Sequence, residues 1–223
     1  RMITSVDGYN SYLIIEDRAT RYTWVYLTNN KSPPIAIVQK FLTQQANQVA
    51  QLKTIRTDEG RELWKSSAFQ QTILECGFIL EPTAPGAPFQ NGMVERQNQT
   101  LAQITRCLLH AAGLSSKFWS FALLHAVYIK NRLPHSYTNT TPLLAYTGQR
   151  PNVNQFKVFG CQIFVRKPGE QPAKLDTFAS TGIYLGNTAT AKNFYYFDTK
   201  TKKIKIGTHA VFDEAHMTAD PGH

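Results

Sequence analysis

The stretch Leu52-Lys53-Thr54-Ile55-Arg56-Thr57-Asp58-Glu59-Gly60 reads as a short strand running into an acidic turn. Alternating apolar and polar positions with β-branched residues favour an extended backbone, and Gly60 ends it. Further on, Gln90-Asn91-Gly92-Met93-Val94-Glu95-Arg96-Gln97-Asn98 reads as a loop entering a long helix, with Glu95 in its first turn. An acid at a strand end and another at a helix start can converge in an α/β domain, where two or three carboxylates hold a pair of Mg²⁺ ions. Acids beside glycine also serve as plain turn residues, so both readings of Asp58 stand at this point.

Working outward, Tyr12–Ile15 and Tyr22–Leu27 predict a hairpin, joined by the polar run Glu16–Thr20. Ser32-Pro33-Pro34 opens a helix whose apolar positions are Ile35, Val38, Phe41 and Leu42. A helix near Ser66–Glu75, stopped by Gly77, and a strand at Phe78–Leu80 follow. Two long helices come next, about Gly92–Ala112 and Ser115–Arg132, separated by Gly113. In the first of them Val94, Leu101, Ile104 and Leu108 form the apolar stripe expected to face the core. After Pro134 come polar turns and a short helix near Pro142–Tyr146. Strands are then predicted at Phe156–Phe159, Ile163–Arg166, Gly182–Leu185, Phe194–Phe197, Ile204–Ile206 and Ala210–Phe212, at intervals suited to a small barrel. The expected organisation is a core over 1–133, a linker over 134–154, a barrel over 155–215 and a tail over 216–223.

Twenty-four basic against 15 acidic residues give a net charge of +9, which favours a polyanionic partner or simply a basic surface. Cys76, Cys107 and Cys161 lack CxxC or CxxH spacing, so neither a zinc module nor a disulfide framework is indicated, and a reducing compartment follows. His110 and His125 fall on apolar helical stretches and read as packed histidines. No apolar run is long enough to span a bilayer and the first residues do not read as a signal peptide, so no membrane partner is expected.

The motifs resemble those of copia-type retrotransposon integrases. Thr57-Asp58-Glu59-Gly60-Arg61-Glu62 is similar to the family's second-aspartate motif, and Gln90–Asn98 to its glutamate motif, 37 positions apart from Asp58 to Glu95. The hairpin region from Glu16-Asp17 to Leu27, then Phe118-Trp119, Asn131-Arg132-Leu133-Pro134, Val158-Phe159-Gly160-Cys161, Lys174-Leu175-Asp176 and Gly182–Gly186 continue the match in order. The resemblance implies an α/β fold: an RNase H-like retroviral-integrase core lacking its first strand, then a small SH3-like β-barrel.

It further implies two-metal phosphoryl transfer with Mg²⁺ or Mn²⁺, in which Asp58 and Glu95 are catalytic metal ligands. The reactions would be 3′-end processing and strand transfer of element DNA into target DNA. Double-stranded DNA and further copies of the chain are the implied partners, and the nucleus and cytoplasmic virus-like particles the implied location. Residues expected to meet DNA are Gln90, Asn91, Gly92, Arg96, Asn98, Arg106, Lys167, Lys174, Lys202 and Lys203. Solvated surface is the plain reading of the basic ones, and Tyr184 and Phe194–Phe197 are expected to fill the barrel. The family's first catalytic aspartate aligns before Arg1, and neither Asp7 nor Asp17 replaces it, so the chain alone is expected to be inactive. Glu59 stands where the family has asparagine, and Gln99 where a basic DNA contact is common. The alternative is a relic or co-opted module that binds DNA or a partner without cutting.

Overall fold

The computed structural model describes residues 3–30, 34–48, 54–57, 65–82, 92–166, 179–188 and 192–217. Strands β1 (Ser11–Glu16) and β2 (Thr23–Thr28) pair antiparallel, with Leu13 opposite Tyr26 and Ile14 opposite Val25. Side chains alternate across a strand. Tyr12, Ile14, Val25 and Leu27 therefore pack on one helical layer, and Leu13, Ile15, Trp24 and Tyr26 on another. A hairpin covered on both faces needs the near-continuous apolar text that these residues supply.

The second layer holds α1 (Ile35–Gln48) and α2 (Ser67–Glu75), which bury Val38, Phe41, Leu42, Phe69 and Ile73. Ser66 caps α2 by accepting from the Phe69 N–H at 3.3 Å. Gly77, at φ +78, ends it in the left-handed conformation that side chains disfavour. Strands β3 (Thr54–Thr57) and β4 (Ile79–Pro82) pair parallel beside α2.

The first layer is α3 (Gly92–Ala111) and α4 (Trp119–Lys130). A single 3₁₀ turn, Ser116–Phe118, leads into α4, where a continuous helix from Ser115 was expected. Apolar residues surround α4 on all sides because it is clasped between the hairpin and a second sheet. Asn131 ends this helix, and α5 (Pro142–Thr147) lies in the connecting stretch, capped by Thr141 and closed by Gly148 at φ +72. Tyr146 of α5 stacks on Tyr22 at 4.7 Å and meets Trp24 edge-on at 5.0 Å, fastening the connection to the hairpin.

The second sheet runs β8-β7-β6-β5-β9, with β5 Cys161–Arg166, β6 Ala179–Asn187, β7 Phe194–Asp198, β8 Lys203–Gly207 and β9 Ala210–Met217. Among the described residues this sheet, the unit expected to be SH3-like, does not close on itself: β8 and β9 each have one neighbour. Register shifts between Cys161 and Gln162 and between Tyr184 and Asn187 curl the sheet without joining those edges. Phe156–Phe159 is not the strand expected. Phe156 and Phe159 instead pack against α4, on Tyr128 at 6.1 Å and His125 at 5.4 Å, so their apolar character serves docking.

Both faces of β6 and β7 are covered. Tyr184, Phe194 and Tyr196 fill the sheet's own core, while Ile183, Leu185 and Phe197 join the core around α3 and α4. Gly160, at φ +84, lies so close to Ala112 that an added Cβ would stand 2.2 Å from the Ala112 Cβ. One hydrophobic core thus runs across the stretch 134–154. His125 is buried there, 2% exposed, and burial pushes its imidazole down to about 4 from the ordinary 6.5. His110, expected to pack likewise, is exposed in the last turn of α3.

Candidate active site and nucleic-acid interface

Among the described residues β1 pairs only with β2, and β3 only with β4. A groove of about 410 Å³ lies between them. Every residue from Tyr12 to Asp17 and from Thr54 to Thr57 lines it, and consecutive residues rather than alternate ones mark two strand edges facing each other. Val38, Phe41 and Phe69 form an apolar floor, and Val94, Glu95 and Asn98 of α3 close one side.

Glu95 is exposed in the first turn of α3, where an anion is favoured by the helix dipole. It shares the groove wall with Thr57, the residue directly before Asp58. Asp58 itself, with Gln90, Asn91, Lys167 and Lys174, lies outside the described residues. The hard carboxylate oxygens of Glu95 suit Mg²⁺ or Mn²⁺. Among the described residues, however, no group of three or more His, Cys, Asp or Glu side chains could hold a metal ion. Asp7 accepts from Ser5 Oγ at 2.6 Å and Ser120 Oγ at 2.7 Å, and Asp17 accepts from the Thr20 N–H at 2.9 Å. Both are turn anchors.

The aim of Glu95 depends on residues that sequence periodicity passes over. Of the stripe expected on α3, Leu101 is buried and Ile104 and Leu108 pack against the core, while Val94 is 40% exposed; Gln97, Thr105 and Leu109 are buried beside them. Gln97 is buried because its Nε2 donates to Thr23 Oγ1 at 2.8 Å. Asn131, at the end of α4, accepts from the Thr23 N–H at 2.9 Å and donates to the Thr23 carbonyl at 2.8 Å. The start of β2 is thereby locked to both helices. Only the four-residue spacing from Gln97 to Leu109 could have signalled that glutamine's burial.

The remaining expected contacts divide. Asn98 accepts from Tyr12 Oη at 2.6 Å and faces the groove. Arg96 is exposed and, with Gly92, lines a larger neighbouring cleft of about 1290 Å³. Arg106 is exposed and folds back to the Ala102 carbonyl of its own helix at 3.3 Å. Lys202 and Lys203 are exposed at the β7–β8 turn, outside the groove. That turn is pinned by Asp198: burial opposes its charge, but the Lys205 ammonium at 2.6 Å and the Thr201 and Lys200 N–H groups hold its carboxyl below the usual range.

Residues 161–221 match the model of the retroviral polymerase SH3-like domain. Over 217 residues the chain is 31% identical to the retrovirus-related Pol polyprotein from transposon TNT 1-94 of Nicotiana tabacum, covering 96% of this chain and 16% of that one. It is 28% identical over 215 residues to the corresponding polyprotein from transposon RE2 of Arabidopsis thaliana, covering 95% of this chain and 14% of that one. The chain therefore spans about a seventh of the length of these relatives. Among solved structures, it superposes on a chain of the simian T-cell lymphotropic virus intasome, solved in complex with the PP2A regulatory subunit B56 gamma. The TM-score is 0.51 at 14% identity, covering 96% of this chain and 75% of that one, which supports the fold of an integrase core followed by an SH3-like unit. Over nearly its whole length the chain is thus similar to copia-type retrotransposon Pol polyproteins, and its residues 161–221 match the retroviral polymerase SH3-like domain.

Proposed function

We propose that this chain is an integrase segment that carries out 3′-end processing and strand transfer of element DNA when its Pol protein supplies the rest of the site. The observation that carries the reading is the groove wall shared by Glu95 and Thr57, which brings the strand leading into Asp58 beside the glutamate. Among the described residues β1 and β3 each have a single neighbouring strand, and the space across that groove fits one further strand between them, with an aspartate upstream of Ser5 as the third carboxylate of the reading. Glu95 and Asp58 would hold Mg²⁺ or Mn²⁺, which would supply charge neutralisation for phosphodiester chemistry. The chain's own part is to aim Glu95 through Gln97 and Thr23, and to hold duplex DNA through exposed lysines such as Lys202 and Lys203. Assembly with further copies, and a location in nucleus and cytoplasmic virus-like particles, belong to the same proposal.

A second reading is a DNA-binding module without catalysis, for which the exposed Lys202 and Lys203 suffice whether or not the carboxylate site is complete. One experiment separates the two. In the Pol protein extended upstream of Arg1, Glu95→Gln should abolish strand transfer of labelled DNA ends and leave circular dichroism and duplex binding intact. No strand transfer by the unsubstituted extended protein establishes the second reading, and transfer that survives Glu95→Gln removes Glu95 from the mechanism.

A further inference from the structure

The larger cleft adjoins the groove, sharing Glu16, Asp17, Thr54, Arg56 and Val94 as walls. At its floor lies a buried ionic cluster with two cations and one anion. The Glu16 side chain is 3% exposed and meets Arg21 Nη1 at 3.6 Å, longer than a good charge-assisted hydrogen bond. Lys130 Nζ, Arg21 Nε and Glu16 Oε2 are buried and have no hydrogen-bond partner among the described residues. Such groups are costly to leave unmatched, and the excess is cationic.

The acids lining the cleft are already engaged. Asp17 is held by Thr20, Glu81 by Arg56 at 2.8 Å, and Glu16 by Arg21. Arg21 also lies under the ring of Tyr137, 4.1 Å from its centroid, and Tyr137 is 64% exposed. One face of that ring is backed by a cation and the ring is presented to solvent. An exposed aromatic platform beside a cluster with one cation in excess is the chemistry of single-strand nucleic-acid recognition, in which bases stack and phosphates are neutralised. Only an unpaired base can stack on such a ring.

We propose that this cleft is a subsite for a single DNA strand, in which Lys130 and Arg21 take a backbone phosphate and Tyr137 stacks on the adjoining base. The inference rests on the reading of the chain as an integrase segment, and deepens it by placing an unpaired strand next to the Glu95 groove. Burial pushes the Lys130 ammonium down, with Glu16 opposing that and Arg21 adding to it, so a bound phosphate restores the charge.

Fluorescence anisotropy of the 223-residue chain with a labelled oligo-dT and a labelled duplex tests this. Tyr137→Ala should weaken oligo-dT binding roughly tenfold, within the range for loss of one stacked base, while Tyr137→Phe keeps it. Lys130→Gln should lower the salt slope for oligo-dT by about 0.7, one phosphate contact. Duplex affinity should hold in both variants and fall when Lys202 and Lys203 are replaced. Unchanged oligo-dT affinity and slope in Tyr137→Ala and Lys130→Gln, with duplex binding intact, overturns the subsite and leaves the integrase reading standing. Binding of neither oligonucleotide by the unsubstituted chain overturns both.

Discussion

Asn131 and Thr23, 108 positions apart, form a two-point amide pairing: the Thr23 N–H donates to Asn131 Oδ1, and Asn131 Nδ2 donates to the Thr23 carbonyl. Both residues are buried, and Gln97 completes the cluster from α3. No helix or strand periodicity asks for an asparagine at a helix end to copy a strand partner. It does so because β2 begins where α4 stops, and the first backbone groups of the strand need partners.

Removing that amide leaves a buried N–H and a buried carbonyl unmatched. Asn131→Ala should lower unfolding stability by about 2–6 kcal/mol, from one to three for each group. Denaturant titration of both proteins checks this, and a loss under half a kilocalorie would mean water replaces the side chain without cost.

The docking of the SH3-like sheet on α3 turns on Gly160 and Ala112. Gly160→Ala meets both a left-handed φ of +84 and a Cβ–Cβ approach of 2.2 Å, so a loss of about 2–4 kcal/mol is expected. Adding Ala112→Gly should restore the steric part and leave the backbone strain. A double variant no more stable than Gly160→Ala would show that the sheet shifts elsewhere.

His125 predicts a pH dependence. Its folded-state value, about 4, lies below the ordinary 6.5 because it is buried between α4 and the sheet. The unfolded chain therefore binds more protons in that window, and stability must fall as pH drops from 6.5 toward 4. The full effect is about 3 kcal/mol, because each tenfold difference in proton affinity between the folded and unfolded chain is worth roughly 1.4 kcal/mol. Thermal melts across this range should slope in the wild type and flatten in His125→Gln. An equal slope in both assigns the acid sensitivity to the carboxylates.

The β7–β8 turn should act on duplex DNA through charge alone. Replacing Lys202 and Lys203 with glutamine should lower the dependence of log K on log salt by about 2, one for each phosphate contact, with no change in sequence preference. An unaltered slope would leave these lysines as solvated surface.

Much of the architecture was legible in the text. The hairpin, the capped helix from Ser66, the short helix at Pro142 and five of the six late strands follow from local periodicity and turn residues. These depend on neighbours three or four positions away, so the sequence states them directly. Phe156–Phe159 misled because an apolar run reports burial and not the partner it is buried against. For the candidate site, the glutamate motif put Glu95 in the first turn of α3, and its chemistry was readable from the residue type.

Sequence alone determined the family resemblance, the order of elements and the acids worth testing, since motif order and residue chemistry are properties of the chain itself. Tertiary structure alone decided that Gln97, Asn131 and Thr23 lock together, that Glu95 shares a groove with Thr57, and that Arg21, Lys130 and Tyr137 meet in one cleft. The reason is physical. Partners separated by 74 or 108 positions are selected by which polar groups packing leaves without water, and no local propensity encodes that choice.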